Sequence, residues 1–276
     1  MSGLWPGDTR CVVMLGFDVD GPSATIRRNP EAERMPSTVS QGDFGPRVAV
    51  PRILELLRRH ELPASFYVPG WVAERFPAAV EQIAADGHEL GHHGYLHEAP
   101  ASVSRDEEAA ILDRSIAILE RIGGARPLGY RSPSWELSEH SLDLLTEREF
   151  VYDSSLMGDD APYLVKGGGG TLVEIPVHWS LDDAPFFAFN PAAGRLATMS
   201  SPRALIDDWI GAFEELYERG RAFTLTMHPW VIGRAGRLRE LDRLLTHIEG
   251  FEHVAFRRAI DVAREVAAEG GPPPGG

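Results

Sequence analysis

The chain has 276 residues, 43% of them hydrophobic and 25% charged, with a formal net charge of −14. Such a composition describes an ordinary soluble globular protein, with room for one large α/β domain or two small ones and a core that needs no staples. The acidic balance argues against nucleic acid and anionic membrane as partners.

No stretch approaches transmembrane length. The N-terminus lacks a charged segment followed by an apolar one of signal-peptide length, so the expected compartment is the cytoplasm. The single cysteine, Cys11, lies in the first apolar run. It has no partner for an internal disulfide and reads as a small buried core residue in a reducing compartment.

In chain order, the apolar run over residues 11–17 reads as a buried strand. It ends in Phe17-Asp18-Val19-Asp20-Gly21-Pro22. Gly-Pro forces a turn, so both Asp side chains sit at the C-terminal end of a strand, where α/β barrels keep their chemistry. Two such carboxylates repel unless a cation or an Arg offsets them. Residues 21–46 are rich in Pro, Arg, Ser and Glu and too long for a plain connection, which predicts a lid or binding loop. Over residues 46–60, Val50, Ile53, Leu54 and Leu57 recur at helical spacing. A short strand follows at 64–68, and a helix at 77–86 stops at Gly87.

Residues 88–91 form the strand that delivers Gly91-His92-His93-Gly94-Tyr95-Leu96-His97-Glu98. Four of the ten histidines fall between His88 and His97. His93 and His97 are four apart, which on a helix or helical turn stacks both imidazoles on one face. That is half a metal site, best completed by a carboxylate from elsewhere, with Asp18 or Asp20 as candidates. His92 points elsewhere and reads as packing or support. His60, His140, His178, His247 and His253 read as surface or packing residues.

Ser104-Arg105-Asp106-Glu107 is a capping box opening a helix that runs to Gly123-Gly124. Residues 128–130 are strand-like and feed Arg131-Ser132-Pro133-Ser134-Trp135. A helix at 138–149 and a strand at 150–152 lead into a second irregular loop, 153–170, whose four consecutive glycines are expected to be flexible. Strands at 172–177, 222–227 and 254–256 follow, with helices starting at Ser201-Pro202 and spanning 238–249 and 258–268. His228-Pro229 follows directly on the 222–227 strand. The basic stretch from Gly233 to Arg239 is either a solvated helix start, a clamp for a substrate anion or an oligomer contact. Residues 270–276 form a Pro/Gly tail expected to be disordered. Six to eight strand–helix units without linker or repeat predict one α/β domain over residues 1–269, with a parallel sheet closed or partly closed into a barrel.

Four blocks stand in order: Phe-Asp-Val-Asp-Gly-Pro, His-Gly-Tyr-Leu-His, Arg-Ser-Pro-Ser-Trp and Leu-Thr-Met-His-Pro. Together, over residues 12–237, they resemble the polysaccharide deacetylase superfamily, the NodB-like carbohydrate esterases of family 4. Val19 separates two Asp that are usually adjacent, which resembles the intracellular peptidoglycan-deacetylase and cyclic-imidase-like subgroup. The resemblance implies a distorted (β/α)7 barrel. It implies Asp18 as general base, Arg131 as the residue that holds it, and His228 as general acid. It implies one divalent metal, zinc first, with cobalt, nickel, manganese or iron as alternatives, on Asp20, His93 and His97. Trp135 would wall the substrate site. Trp179-Ser180-Leu181-Asp182-Asp183 matches the remaining block, with Asp183 expected on the substrate side and either Asp able to support His228.

The implied reaction is hydrolysis of a non-peptide C–N bond, by default de-N-acetylation of an acetamido sugar. Ring-opening of a cyclic imide or ureide is the alternative, and a non-catalytic sugar-binding barrel a further one. The expected partners are a small-molecule or carbohydrate substrate and further copies of the chain. The two long loops and residues 186–189 are expected to shape a pocket with Trp135 rather than an open groove.

Overall fold

The computed structural model defines residues 4–196 and 199–270; the tail expected at 270–276 lies, beyond Gly270, outside the described residues. Strand β1 (Cys11–Asp18) is buried along its whole length. A run of β-branched and apolar residues suits a strand covered on both faces. Its period of two sorts the layers. Cys11, Val13, Leu15, Phe17 and, just past the strand, Val19 pack into the large core under the helices, whereas Val12 and Met14 pack inside the barrel. Gly16 and Asp18 continue that inward row.

After β1 come α1 (Ser23–Arg28), α2 (Pro36–Phe44), α3 (Val50–Arg59), β2 (Ser65–Val68), α4 (Gly70–Arg75), α5 (Pro77–Ala85) and β3 (Glu89–His92). Then follow α6 (Arg105–Gly123), β4 (Gly129–Tyr130), α7 (Ser141–Glu147), β5 (Tyr152–Asp153), β6 (Tyr163–Gly167) and β7 (Gly170–Glu174). The chain continues through α8 (Ala184–Phe187), β8 (Phe189–Asn190), β9 (Arg195–Leu196), α9 (Pro202–Arg219) and β10 (Ala222–Met227). It ends with α10 (Pro229–Ile232), α11 (Ala235–Glu249), β11 (Val254–Phe256) and α12 (Ala259–Glu269).

The main sheet runs β10-β1-β2-β3-β4-β5-β7-β6, parallel except for the β6–β7 hairpin. β10 takes one edge of β1, while β11 and β2 share the other, at its N- and C-terminal halves. The sheet curls without closing. Among the described residues, the outer edge of β10 is met by the carbonyl of Asp160, which accepts from Ala222 N at 3.0 Å, and by a bridge between Asp182 and Thr226. The result is the expected distorted (β/α) barrel. Polar groups fill part of its interior: Ser65 and Tyr152 donate to Glu89 at 2.6 and 2.8 Å, and the Tyr67 and Tyr152 hydroxyls lie 3.0 Å apart.

Two expectations are corrected. Residues 21–46 are not an irregular loop but fold as α1, a short tight turn and α2, followed by a wide helical turn into α3. Gly42 makes this possible, since a Cβ there would lie 2.6 Å from the Pro22 backbone. Nor are the four glycines a flexible element. Gly167 and Gly170 pair across the β6–β7 hairpin, and Gly168 and Gly169 donate backbone N–H groups to Asp143 and Thr146 of α7. A Cβ on Gly167 would lie 2.3 Å from the Leu142 carbonyl, so close approach to α7 is what demands glycine.

Candidate active site and metal centre

The C-terminal ends of the strands converge on one cleft, as the barrel rule requires. β1 brings Asp18. The ladder runs one step further, through Val19 N to the Tyr67 carbonyl at 2.8 Å, and so carries Asp20 to the same side. β4 leads to Arg131 and β10 to His228. The loop after β7 runs beside β10 and brings Asp182 and Asp183.

His93 and His97 meet, but not on a helix. They stand on a loop after β3, with Gly94 at φ +71° and His97 at φ +59°. Glu98 ties this loop by accepting from Tyr95 N at 3.0 Å and Leu96 N at 2.8 Å. A left-handed non-glycine costs on the order of 1–3 kcal/mol and persists only where its surroundings enforce it. His93 Nδ1 donates to the Arg131 carbonyl at 2.7 Å, which leaves Nε2 as the free lone pair. His92 turns away into a packed aromatic cluster with Tyr130 and Phe150.

Asp20, His93 and His97 place a carboxylate oxygen and two ring nitrogens within 4.8 Å of one another, all buried. His93 Nε2 lies 3.4 Å from Asp20 Oδ1, and His97 Nε2 3.6 Å from Oδ2. Both Asp20 oxygens are buried without a hydrogen-bond donor. A buried carboxylate in that state is costly unless a cation meets it. One carboxylate and two imidazoles are a borderline-soft donor set with coordination positions left open, so these residues fit a divalent metal. Burial pushes the Asp20 carboxyl upward, but His97, His93 and His228 outweigh it and hold it well below the usual carboxylate range. Burial lowers the His97 imidazole to about 3, which keeps it neutral, as a ligand must be.

A second group, Asp182, Asp183 and His228, has metal-like spacing but satisfied atoms. Asp183 Oδ1 accepts from His228 Nδ1 at 2.7 Å, both Asp183 oxygens accept from His228 N at 3.1 Å, and Asp182 accepts from Ala184 N at 2.8 Å. This is a proton-holding pair. Burial alone would lower His228; the charge of Asp182 and the Asp183 bond overcome it and raise it to about 10. Its Nε2 faces Asp18 and Asp20 at 4.0 and 3.9 Å. Asp183, expected on the substrate side, sits fully buried behind His228; Asp182 lines the cleft instead.

Arg131 is 1% exposed and donates to Asp18 Oδ1 at 2.9 Å, to Ser154 Oγ at 2.9 Å and to the Ser154 carbonyl at 3.2 Å. Its guanidinium also stacks on Tyr67 at 4.0 Å. With Oδ1 so occupied, Asp18 turns Oδ2 toward His93 and His228.

The cleft holds about 300 Å³, at the small end for small-molecule sites. One wall is Trp135 packed against Trp179, ring centres 4.3 Å apart and planes tilted by 36°. Ser134 and Trp135 both take φ near +60°, which turns the indole into the cleft. Pro185, Ala184 and Ala188 complete that wall, whereas Phe187 is core and Phe189 points to solvent. Residues 153–170 do not line it, in contrast to expectation. The basic stretch 233–239 is spent elsewhere: Arg234 stacks on Phe44, and Arg237 stacks on Phe187 and donates to the Val231 carbonyl. Among the described residues the arginines that line the cleft are Arg28 and Arg195, which no motif marks.

The family model for polysaccharide deacetylases matches residues 36–152. A peptidoglycan deacetylase of Helicobacter pylori is 31% identical over 91% of this chain and 95% of its own. The chain belongs to the polysaccharide deacetylase family. It is accordingly a hydrolase of carbon–nitrogen bonds other than peptide bonds. A solved structure from Mycobacterium smegmatis, assigned to the polysaccharide deacetylases, is 37% identical and superposes with a TM-score of 0.95 over 98% of this chain and 94% of its own. An allantoinase structure with a TM-score of 0.84 over 96% of this deacetylase and 92% of its own is 24% identical and shares the fold. Among the described residues no helix is long and apolar enough to cross a membrane.

Proposed function

We propose that this protein is a metal-dependent de-N-acetylase of a small acetamido sugar or a related amide. The observation that carries the reading is that Asp18 and His228 both stand beside the Asp20, His93 and His97 group in one cleft, Asp18 Oδ2 3.9 Å from His93 Nε2 and His228 Nε2 3.9 Å from Asp20 Oδ2. Those three residues would hold the metal, zinc in the first instance given the donor set. When bound, it supplies Lewis-acid polarisation of the amide carbonyl and a more acidic attacking water.

The chain's own residues do the rest. Asp18, fixed through Oδ1 by Arg131, takes a proton from the attacking water on Oδ2. His228, charged through its pairing with Asp183, gives the proton on Nε2 to the departing nitrogen as the C–N bond breaks. Acetic acid, which ionises to acetate in solvent, and the free amine result, with Asp18 protonated and His228 neutral until solvent restores both. Trp135 and Trp179 offer an apolar aromatic wall to a sugar or heterocyclic ring.

Ring-opening of a cyclic imide or ureide is the second reading, favoured by the small volume of the cleft. Metal-loaded protein should release acetate from acetamido sugars or ring-opened product from cyclic imides. Absence of both, at one metal per chain, sinks the reading. We further propose that residues 1–269 act as one domain, a reading supported by one sheet that takes strands from residue 11 to residue 256. A cytoplasmic location is supported by the free, buried Cys11. Self-association is supported by exposed Phe189, Leu196 and Met199 near the β8–β9 hairpin, and light scattering of the purified protein tests it.

A further inference from the structure

Arg28 is the last residue of α1 and Arg195 the first of β9, 167 positions apart in sequence, yet both line the same cleft. The chain holds 41 acidic against 27 basic residues, so acceptors for an arginine are plentiful. Other arginines take them: Arg131 meets Asp18 at 2.9 Å, Arg148 meets Asp113 at 2.7 Å and Arg258 meets Asp261 at 2.7 Å. Among the described residues the Arg28 side chain makes only a long bond of 3.5 Å to Ser134 Oγ. Arg195 makes no side-chain hydrogen bond or ion pair among the described residues. Instead the two guanidiniums act on each other with like charge, and both act on His97.

Arg28 is exposed and Arg195 half-buried, so solvent screens part of the repulsion between the two like charges while both stay open to a ligand in the cleft. Asp20 offsets Arg28 in part. Once Asp20 binds a divalent cation that compensation is lost, and both arginines are left facing positive charge. An anion between them removes the conflict. The cleft is too small for a ligand at the arginines to be independent of one at the reacting centre.

The geometry points to a substrate that carries a carboxylate, held between Arg28 and Arg195 while its amide lies at Asp18 and His228. The inference rests on the hydrolase reading above. The planar guanidinium matches a carboxylate in a paired, two-bond geometry, which a neutral sugar hydroxyl cannot reproduce. The two arginines would also draw an anionic substrate into a protein whose overall charge repels it.

The test uses matched pairs that differ in the charge of the carboxyl group: N-acetylmuramic acid against its methyl ester, and hydantoin-5-acetic acid against its methyl ester. Binding is read by calorimetry on metal-loaded Asp18→Asn protein, and kcat/KM on the wild type. In at least one pair the acid should bind about tenfold or more tighter, one charge-assisted bond's worth. Arg28→Gln and Arg195→Gln should each cut that preference about tenfold, and Arg28→Lys and Arg195→Lys, which keep the charge but lose the planar two-bond geometry, should retain only part of it. Added salt should weaken binding of the acid and spare its neutral partner. Equal binding of acid and neutral partner in both pairs, or a preference that survives both Gln variants, overturns the inference. Selective binding of the acid without turnover of any amide would overturn the hydrolase reading and leave the carboxylate clamp standing.

Discussion

Gly16→Ala should disable the protein from behind, without touching a substrate-facing residue. Gly16 lies two residues before Asp18 on the inward row of β1. An added Cβ there would sit 2.8 Å from Arg131 Nη1, 3.2 Å from Nη2 and 3.2 Å from the Leu225 carbonyl. The carbonyl belongs to the β1–β10 ladder and cannot give way, so Arg131 must. Arg131 is fully enclosed, and its three hydrogen bonds leave no second place for the guanidinium. Overpacking of this kind costs about 1–3 kcal/mol, offset by about 0.4–1 kcal/mol from the stiffer unfolded chain. For a chain of this size the net loss corresponds to a Tm lower by roughly 2–6 °C. Turnover should fall far more, by about 10²-fold, because a displaced Arg131 lets the Asp18 carboxylate shift from its working position. Thermal unfolding, metal content and kcat of wild type and variant measure all three. Combining Gly16→Ala with Arg131→Met isolates the route, since the methyl should have little further effect once Arg131 is gone. Near-normal turnover in Gly16→Ala at full metal content would refute the positioning argument, as would simple additivity in the double variant.

His97→Ala should lose the metal while keeping the fold, with content falling from about one ion per chain toward none by elemental analysis; full retention in both His93→Ala and His97→Ala would remove this triad from consideration. Asp18→Asn and His228→Ala should retain the metal yet lose about 10²–10⁴-fold in turnover each, if they are base and acid. Glu174→Gln should stabilise the protein at alkaline pH. Burial, then the charge of Asp153 beside it, raises Glu174 well above its ordinary range, so the folded state binds a proton that the unfolded state releases. That contribution is complete below the unfolded value and fades as pH rises from there toward the raised folded value. Gln keeps the acceptor oxygen for Ser155 N and Leu156 N, both at 2.9 Å, and removes the titration. The gain in Tm over wild type should therefore grow as pH rises above the ordinary glutamate value of about 4.3; a gain that is flat or shrinks as pH rises from there to neutrality would contradict it.

The sequence by itself determined the alternation of strands and helices, because hydrophobic period and capping are local signals that survive without tertiary contact. β1, the capped start of α6 at Ser104 and the strand before His228 could all be read this way. So could the set of chemistry-bearing residues, since Asp18, Asp20, His93, His97, Arg131 and His228 all stand at or just beyond strand ends. Their mutual geometry was not legible. His93 and His97 meet through a left-handed loop rather than a helical turn, because Gly94 and the Glu98 carboxylate override the four-residue spacing. The tertiary structure alone chose Asp183 over Asp182 as the partner of His228 Nδ1, through a bridge between the Asp182 backbone and Thr226 of β10. The four glycines read as flexible because glycine spacing carries no sign of what lies opposite; α7 lies there and crowds out a side chain at Gly167, Gly168 and Gly169. Arg28 and Arg195 belong to no motif, and only the folding of the chain over α1 and the β8–β9 hairpin sets their charges in one cleft. Local pattern encodes which face of an element is buried; which two distant side chains share a cavity depends on how the elements pack.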